Sequence, residues 1–225
     1  MSVNYDGGYM LAPDQLLTTT RAVRNRLDLS RPVDSSTIEE CLRIALQAPS
    51  RANVQPWHWI VVTDPRQRAA VGFWYARAWR ERFEANPDPY PAATIRSARH
   101  LADHIADVPV LVIPCLELEA LELPTGNQAS LWGSLLPAVW SYMLAARARG
   151  LGTAWTTVHL AYEREVSAVL DLPDHIRQAA LIPTAHAIGT EFRPARRRPL
   201  ETVLHLDRWS RSDGGRSEQE GLSAR

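Results

Sequence analysis

Cysteine is scarce in this chain: only Cys41 and Cys115 occur among 225 residues. Both sit in apolar stretches, so they read as small core residues in a reducing compartment rather than as a disulfide framework. Net charge is lacking too. The 25 basic and 25 acidic side chains cancel, which leaves no global field to draw in nucleic acid or an anionic membrane. Long hydrophobic runs are missing. The most apolar stretch, Leu131 to Ala146, is interrupted by Ser134, Pro137 and Ser141 and is too short to span a bilayer. No basic, apolar and small-residue leader opens the sequence. The expectation is a soluble cytoplasmic protein that binds neither nucleic acid nor membrane.

Familiar catalytic signatures are missing as well. No Gly-x-Gly-x-x-Gly follows a strand, and there is no Walker loop and no Gly-x-Ser-x-Gly elbow. His100 and His104 have the i, i+4 spacing of metal ligands, with Asp103 and Asp107 near them. Nothing completes an open coordination sphere around them, so no metal is expected. His58, His159, His175, His186 and His205 are isolated in sequence and read as structural or exposed. No acid–base pair stands out, so no catalytic side chain is assigned.

What is present is an ordinary globular composition, 45% hydrophobic, enough for one large domain. Eight tryptophans are many for this length. They serve a core, or they stack on a flat ligand. Residues 1–14 read as an arm, 15–209 as the domain, and 210–225 as a disordered tail. A helix is expected from Gln15 to about Arg26, weakened by Thr18-Thr19-Thr20. A second, capped by Asp34 or Ser35, runs to about Ala48 and carries Ile38, Cys41, Leu42, Ala45 and Ala48 at helical spacing. Trp57 to Thr63 is a buried strand. Residues 66–105 are charged and helical, interrupted at 86–91. Val108 to Leu116 is a second strand. Gln128 to Arg149 is one long central helix bent by Pro137, with Gly150 in the left-handed position after it. Leu151 to Val158 is extended, Tyr162 to Leu170 a short helix, and Ile176 to Ile188 a third strand region. The order does not alternate strand and helix, so an α+β sheet flanked by helices is favoured.

Three constellations carry chemistry. In Ala48-Pro49-Ser50-Arg51-Ala52-Asn53-Val54-Gln55-Pro56-Trp57, two prolines bracket hydrogen-bonding side chains where a helix yields to a strand. Such a loop can present Ser50, Asn53 and Gln55 to one planar polar ligand, or it can be a turn that delivers Trp57 to the core. Two basic clusters, Arg21, Arg24 and Arg26, then Arg196-Arg197-Arg198, supply the guanidinium forks that suit a phosphate monoester. Each alone is equally well a solvated surface. Gly150 to Thr157 can place backbone N–H groups along a ligand edge.

Arg21-Ala22-Val23-Arg24, the Ala48–Trp57 segment, Gly150–Thr157 and Arg196–Leu200 follow in order and at suitable spacing. Together they resemble the FMN-dependent nitroreductase family over roughly residues 15 to 209. The resemblance implies a nitroreductase-like α+β fold with a mostly antiparallel sheet, an obligate homodimer, and FMN at two sites in the interface. It also implies a ping-pong cycle with NAD(P)H as co-substrate, the hydride passing to flavin N5 before an acceptor takes the electrons. By the same resemblance Arg21 is a phosphate ligand and Arg24 the cation near the pyrimidine edge. Ala22 and Val23 belong to that contact strand. Pro49, Ser50, Arg51, Asn53 and Gln55 form the loop that reaches the flavin of the partner subunit. Trp155, Thr156, Thr157 and Val158 form the strand facing the ring near N5, and Arg196, Arg197 and Arg198 contain the second phosphate clamp. Two positions depart from the pattern: Arg26 stands where an aromatic is usual, and Ala22 where serine is common.

Acceptor specificity is expected in residues 72–105. Tyr75, Trp79 and Phe83 share one helical face. That face either packs on the body or roofs the flavin. Trp79 and Tyr90 are the expected substrate contacts, and the acceptor would be a nitroaromatic, a quinone or another flat molecule. The alternatives are a dehydrogenase, a reductive dehalogenase or a flavin-breaking enzyme on the same fold, a flavin-storage protein, and a helical interaction domain with no cofactor.

Overall fold

The computed structural model describes residues 11–83, 90–189 and 191–209. Two compact units divide after Phe192: Met1–Phe192 and Arg193–Arg225. The boundary falls inside the stretch that the sequence reading treats as one domain, and each unit is described by itself.

The first unit is built on strands β1 (Leu27–Asp28), β2 (Trp57–Val62), β3 (Val110–Glu117), β4 (Leu151–Thr153), β5 (Ile176–Gln178) and β6 (Ile182–Ala187). Its helices are α1 (Pro13–Thr19), α2 (Ser35–Ala45), α3 (Pro65–Phe83), α4 (Ala92–His104), α5 (Ala129–Gly133), α6 (Leu136–Ala148) and α7 (Glu163–Val169). The sheet runs β1-β6-β3-β2, with β4 added to β6 and β5 to β3. These strand pairs are all antiparallel, as expected for the α+β class. β3 is the centre, buried along nearly its whole length. Side chains alternate across a strand, and β3 sorts accordingly. Val110, Val112 and Leu116 join the core beneath α2 and α6, whereas Leu111, Ile113 and Cys115 join the core beneath α3, α4 and α7. Burial pushes the thiols of Cys41 and Cys115 up to about 11 and about 12. Both cysteines therefore serve as core residues.

Several boundaries differ from the sequence reading. The first helix begins at Pro13 and stops at Thr19 rather than near Arg26. Thr18, Thr19 and Thr20 turn their hydroxyls back onto the carbonyls of Asp14, Gln15 and Leu16, which loosens a helix end. Val23, next to the bridged Ala22, and Leu27, in β1, are then drawn into the core on either side of a turn. α2 starts at Ser35 under an Asp34 cap, with Ser36 N–H donating to the carboxylate at 3.1 Å, and ends at Ala45. The expected long helix is two, α5 and α6, broken at Ser134 and Leu135. Pro137 does not bend it. It sits in the first turn of α6, where a missing N–H removes no helical bond. The extended stretch after Gly150 keeps regular pairing only through Thr153 and gives way to a 3-10 turn at Val158–Tyr162. The third strand region is two strands, both paired with β3: three residues, 179–181, stand opposite Ile113 and Pro114, and Leu181 turns its backbone to Thr156 instead. The interruption at 86–91 and the tail from 210 fall largely or wholly outside the described residues. No described helix is long and apolar enough to cross a membrane.

Candidate functional site

After α1 the chain crosses the end of β4. Ala22 forms a parallel bridge with Thr153, and Val23 N–H donates to Thr153 O at 2.8 Å. The Val23 side chain is buried on Gly152, where an added Cβ would lie 2.9 Å from Val23 Cγ1. Gly150, with φ +75°, makes the turn from α6 into β4. Val23 thus commits both its amide and its side chain to the fold. Arg21 and Ala22 remain exposed and Arg24 half-buried beside it.

The strand expected near the flavin continues from β4. Thr156 and Leu181 exchange both backbone hydrogen bonds, at 3.1 and 2.8 Å. Amides alternate in direction along an extended chain, so those of Trp155 and Thr157 point away from Leu181. Thr157 is exposed, Trp155 and Val158 half-buried. Behind Thr156 stands Tyr75 of α3, their hydroxyls hydrogen-bonded at 3.2 Å. Burial raises the Tyr75 phenol above its ordinary value, while the Thr156 hydroxyl and the charge of Arg24 pull it back. Thr156 thus meets this phenol directly, and Arg24, from a separate segment, acts on it through its charge. In the sequence Tyr75 is visible only as part of an aromatic stripe, and nothing there marks it as a site residue.

The Pro49–Gln55 loop is exposed and strained. Ala52, Asn53 and Gln55 have φ of 46°, 56° and 54°, a region that non-glycine residues seldom occupy and that clusters at functional sites. Local bonds hold it there. Gln55 N–H donates to Ser50 Oγ at 3.1 Å, and the Gln55 side chain donates to Asn53 Oδ1 at 3.2 Å. Arg51 N–H donates to Ser134 Oγ at 2.9 Å. These bonds tie the loop to the α5–α6 joint, on the α2 and α6 side of the sheet, rather than to Arg24 and Thr156. Pro49 is exposed at its start.

In the second unit, Arg196, Arg197 and Arg198 form an exposed run, outside any helix or strand, before a 3-10 turn at Leu200–Thr202. At the end of the first unit, the guanidinium carbons of Arg26 and Arg147 lie 4.0 and 4.1 Å from the centre of the Phe192 ring. Arg26, which stands where an aromatic is usual, is thus stacked on an aromatic from elsewhere in the chain.

The aromatic stripe on α3 corrects one expectation. Trp79 is 1% exposed and Tyr75 2%, so both pack on the body of the protein and Trp79 does not roof an open site. Its ring lies against Phe83, at 5.5 Å between centroids, and under Arg99. Tyr90 is half exposed, 6.5 Å from Phe83, and keeps a face available. The rings of His100 and His104 lie 4.7 Å apart between centroids, tilted by 50°. Among the described residues no group of three or more His, Cys, Asp or Glu is placed to hold a metal. His159 is fully buried, and neither ring nitrogen has a hydrogen-bond partner among the described residues. Burial lowers it to about 4, against a smaller opposing pull from Gln178.

The donors fit a flat, phosphate-bearing group. Arg21 is an exposed guanidinium, Arg24 is a second cation three residues on, and their segment is bridged at Ala22 to Thr153, two residues before Trp155. The nitroreductase family profile matches residues 17–186. An NADH dehydrogenase of Thermus thermophilus is 31% identical over 192 residues, covering 77% of this chain and 86% of the relative. A 5,6-dimethylbenzimidazole synthase of Rhodospirillum rubrum is 30% identical over 178 residues, covering 75% and 79%. Among solved structures, an FMN and NADPH-dependent nitroreductase from a Sphingopyxis strain superposes with a TM-score of 0.67 at 22% identity, covering 88% of this chain and all of that one. That likeness establishes the fold.

Proposed function

The chain belongs to the nitroreductase family, and on that premise we propose that it is a cytoplasmic, homodimeric FMN oxidoreductase. NAD(P)H is the electron donor, and a nitroaromatic, a quinone or a similar flat molecule is the acceptor. The carrying observation is the joining of the Arg21–Arg24 segment to the chain that leads into Trp155–Val158, through the Ala22–Thr153 bridge and the hydrogen bond from Val23 N–H to Thr153 O at 2.8 Å. Two segments distant in sequence, one carrying a cation and the other a row of amides, are thereby joined.

When bound, FMN would supply hydride and electron transfer, chemistry that needs orientation and electrostatics from the protein rather than a catalytic triad. Arg21 would hold the phosphate through charge-assisted hydrogen bonds, and Arg196, Arg197 and Arg198 are proposed phosphate ligands of the same kind. Arg24 would set a positive charge where the ring gains electron density on reduction. The amides of Trp155 and Thr157 would fix the orientation of the ring edge. The Pro49–Gln55 loop, already bent into a left-handed path, would complete the site of a second copy. Tyr90 would contact the acceptor.

The absorbance spectrum of the purified protein tests this directly. A yellow protein that bleaches with NADPH under nitrogen and regains colour with an added nitroaromatic or quinone is the expected result. A colourless protein that binds no added FMN would overturn the cofactor assignment. The similarity to a 5,6-dimethylbenzimidazole synthase favours a second reading, oxygen-dependent breakdown of the flavin. Loss of flavin on admitting oxygen to the reduced protein, without an acceptor, would select it. A yellow protein that neither donor nor oxygen alters would be a storage protein.

A further inference from the structure

We propose that Tyr75 is a positioning residue that holds the Trp155–Val158 strand in register with Arg24, and so sets how the two halves of the flavin site face each other. The proposal rests on the flavin reading above. It concerns a residue that touches neither cofactor nor substrate.

Tyr75 projects from α3, an element distant in sequence from both segments, and its hydroxyl is bonded to Thr156 Oγ1 at 3.2 Å in a fully buried setting. The same Thr156 oxygen lies 3.5 Å from the amide of Val158, so one hydroxyl joins α3 to two positions of the strand. The backbone of Thr156 is fixed on its other side by Leu181, at 3.1 and 2.8 Å. Thr157 therefore lies between two held positions, Thr156 and Val158, and Trp155 immediately precedes the first. Arg24 acts on the Tyr75 phenol electrostatically and is attached to the strand through Val23 N–H and Thr153 O at 2.8 Å. The strand is thus fastened at two places: at Thr153 to the segment that carries Arg24, and at Thr156 to Tyr75. Two fastenings fix relative position where a single contact would allow sliding.

A second tyrosine–threonine pair provides the control. Tyr142 of α6 and Thr184 of β6 are bonded at 3.0 Å and fully buried, on the opposite face of the sheet. Loss of either phenol hydroxyl removes one neutral buried hydrogen bond, but only Tyr75 borders the strand.

Four variants test the idea: Tyr75→Phe, Thr156→Val, their double, and Tyr142→Phe. Amide hydrogen exchange is measured on the apoprotein, FMN affinity by fluorescence titration, and flavin reduction by stopped flow with NADPH. Tyr75→Phe is expected to raise exchange over residues 155–158 about tenfold, and to weaken FMN binding and slow reduction by up to about tenfold, the worth of one neutral hydrogen bond. The double variant is expected to be no worse than the more affected single one, because both lose the same contact. Tyr142→Phe is expected to lower the urea midpoint comparably while leaving strand exchange and reduction rate in place. Unchanged exchange and unchanged FMN affinity in Tyr75→Phe would overturn the proposal, as would equal effects from Tyr142→Phe. A native protein that binds no FMN would instead overturn the flavin reading, and the exchange data would still decide whether Tyr75 holds the strand.

Discussion

His159 sits wholly inside the protein, at 0% exposure, with both ring nitrogens unpartnered among the described residues. Burial disfavours its charged form and lowers it to about 4. The unfolded chain titrates near the ordinary imidazole value of about 6.5, so between the two values it binds the extra proton and the fold does not. Stability therefore falls as pH drops through that window and levels off below it. Between pH 7 and pH 5 the native protein is expected to lose ~2 kcal/mol more than a His159→Gln variant. Urea unfolding at the two pH values measures this, and equal losses would remove His159 as the cause. Arg21 is the other residue with a sharp expectation. Losing one charge-assisted hydrogen bond to phosphate weakens binding roughly tenfold to a hundredfold. Arg21→Ala should therefore purify flavin-poor, as should the triple alanine variant at Arg196, Arg197 and Arg198. Full FMN occupancy in both would show that the phosphate is held elsewhere.

At the scale of elements, the meeting of the Arg21–Arg24 segment with β4 depends on a missing side chain. Gly152 leaves room for Val23 and Leu27, whose nearest atoms would stand 2.9 and 3.1 Å from an added Cβ. Gly152→Ala is expected to destabilise the protein by about 1–3 kcal/mol through overpacking and to weaken FMN binding by displacing the segment that carries Arg24. Gly133, at the end of α5, has nothing within 4 Å of an added Cβ. Gly133→Ala should be neutral or stabilising by up to ~1 kcal/mol. Thermal melts of the pair, with FMN titrations, separate crowding from a general intolerance of glycine replacement. Similar melts for both would mean that the Val23 contact yields without strain.

For the whole molecule, the relevant observation is apolar surface left in the open. Within the second unit Leu200, Val203, Leu204, Leu206 and Trp209 are exposed, Trp209 to 82%. Within the first, Leu17, Val54 and Trp140 are exposed. Apolar groups that gather into a patch mark interaction surfaces, and the homodimer proposed above would bury such a patch. The holoprotein is expected to scatter light as a dimer, and dilution below the dimerisation constant should release FMN. A monomer that retains FMN tightly would contradict the shared site.

Local rules make much of this legible in the sequence. The Asp34 cap, the periodicity of Ile38, Cys41 and Ala45, the unbroken apolar run of β3 and the turn at Gly150 are each set by residues close along the chain, and the structure follows them. The family, too, was readable from the order of its short motifs. Boundaries moved where distant residues outweighed neighbours: Val23 left its helix to pack on Gly152, and Ser134 ended α5 before Pro137 could matter. Trp79 was assigned to a ligand because its helical face is visible in sequence, but whether that face meets a core or a cavity is decided by the elements packed against it. Tyr75 could be found only in three dimensions. A hydroxyl has no periodicity, and its importance comes from which oxygen it meets across 81 positions of chain.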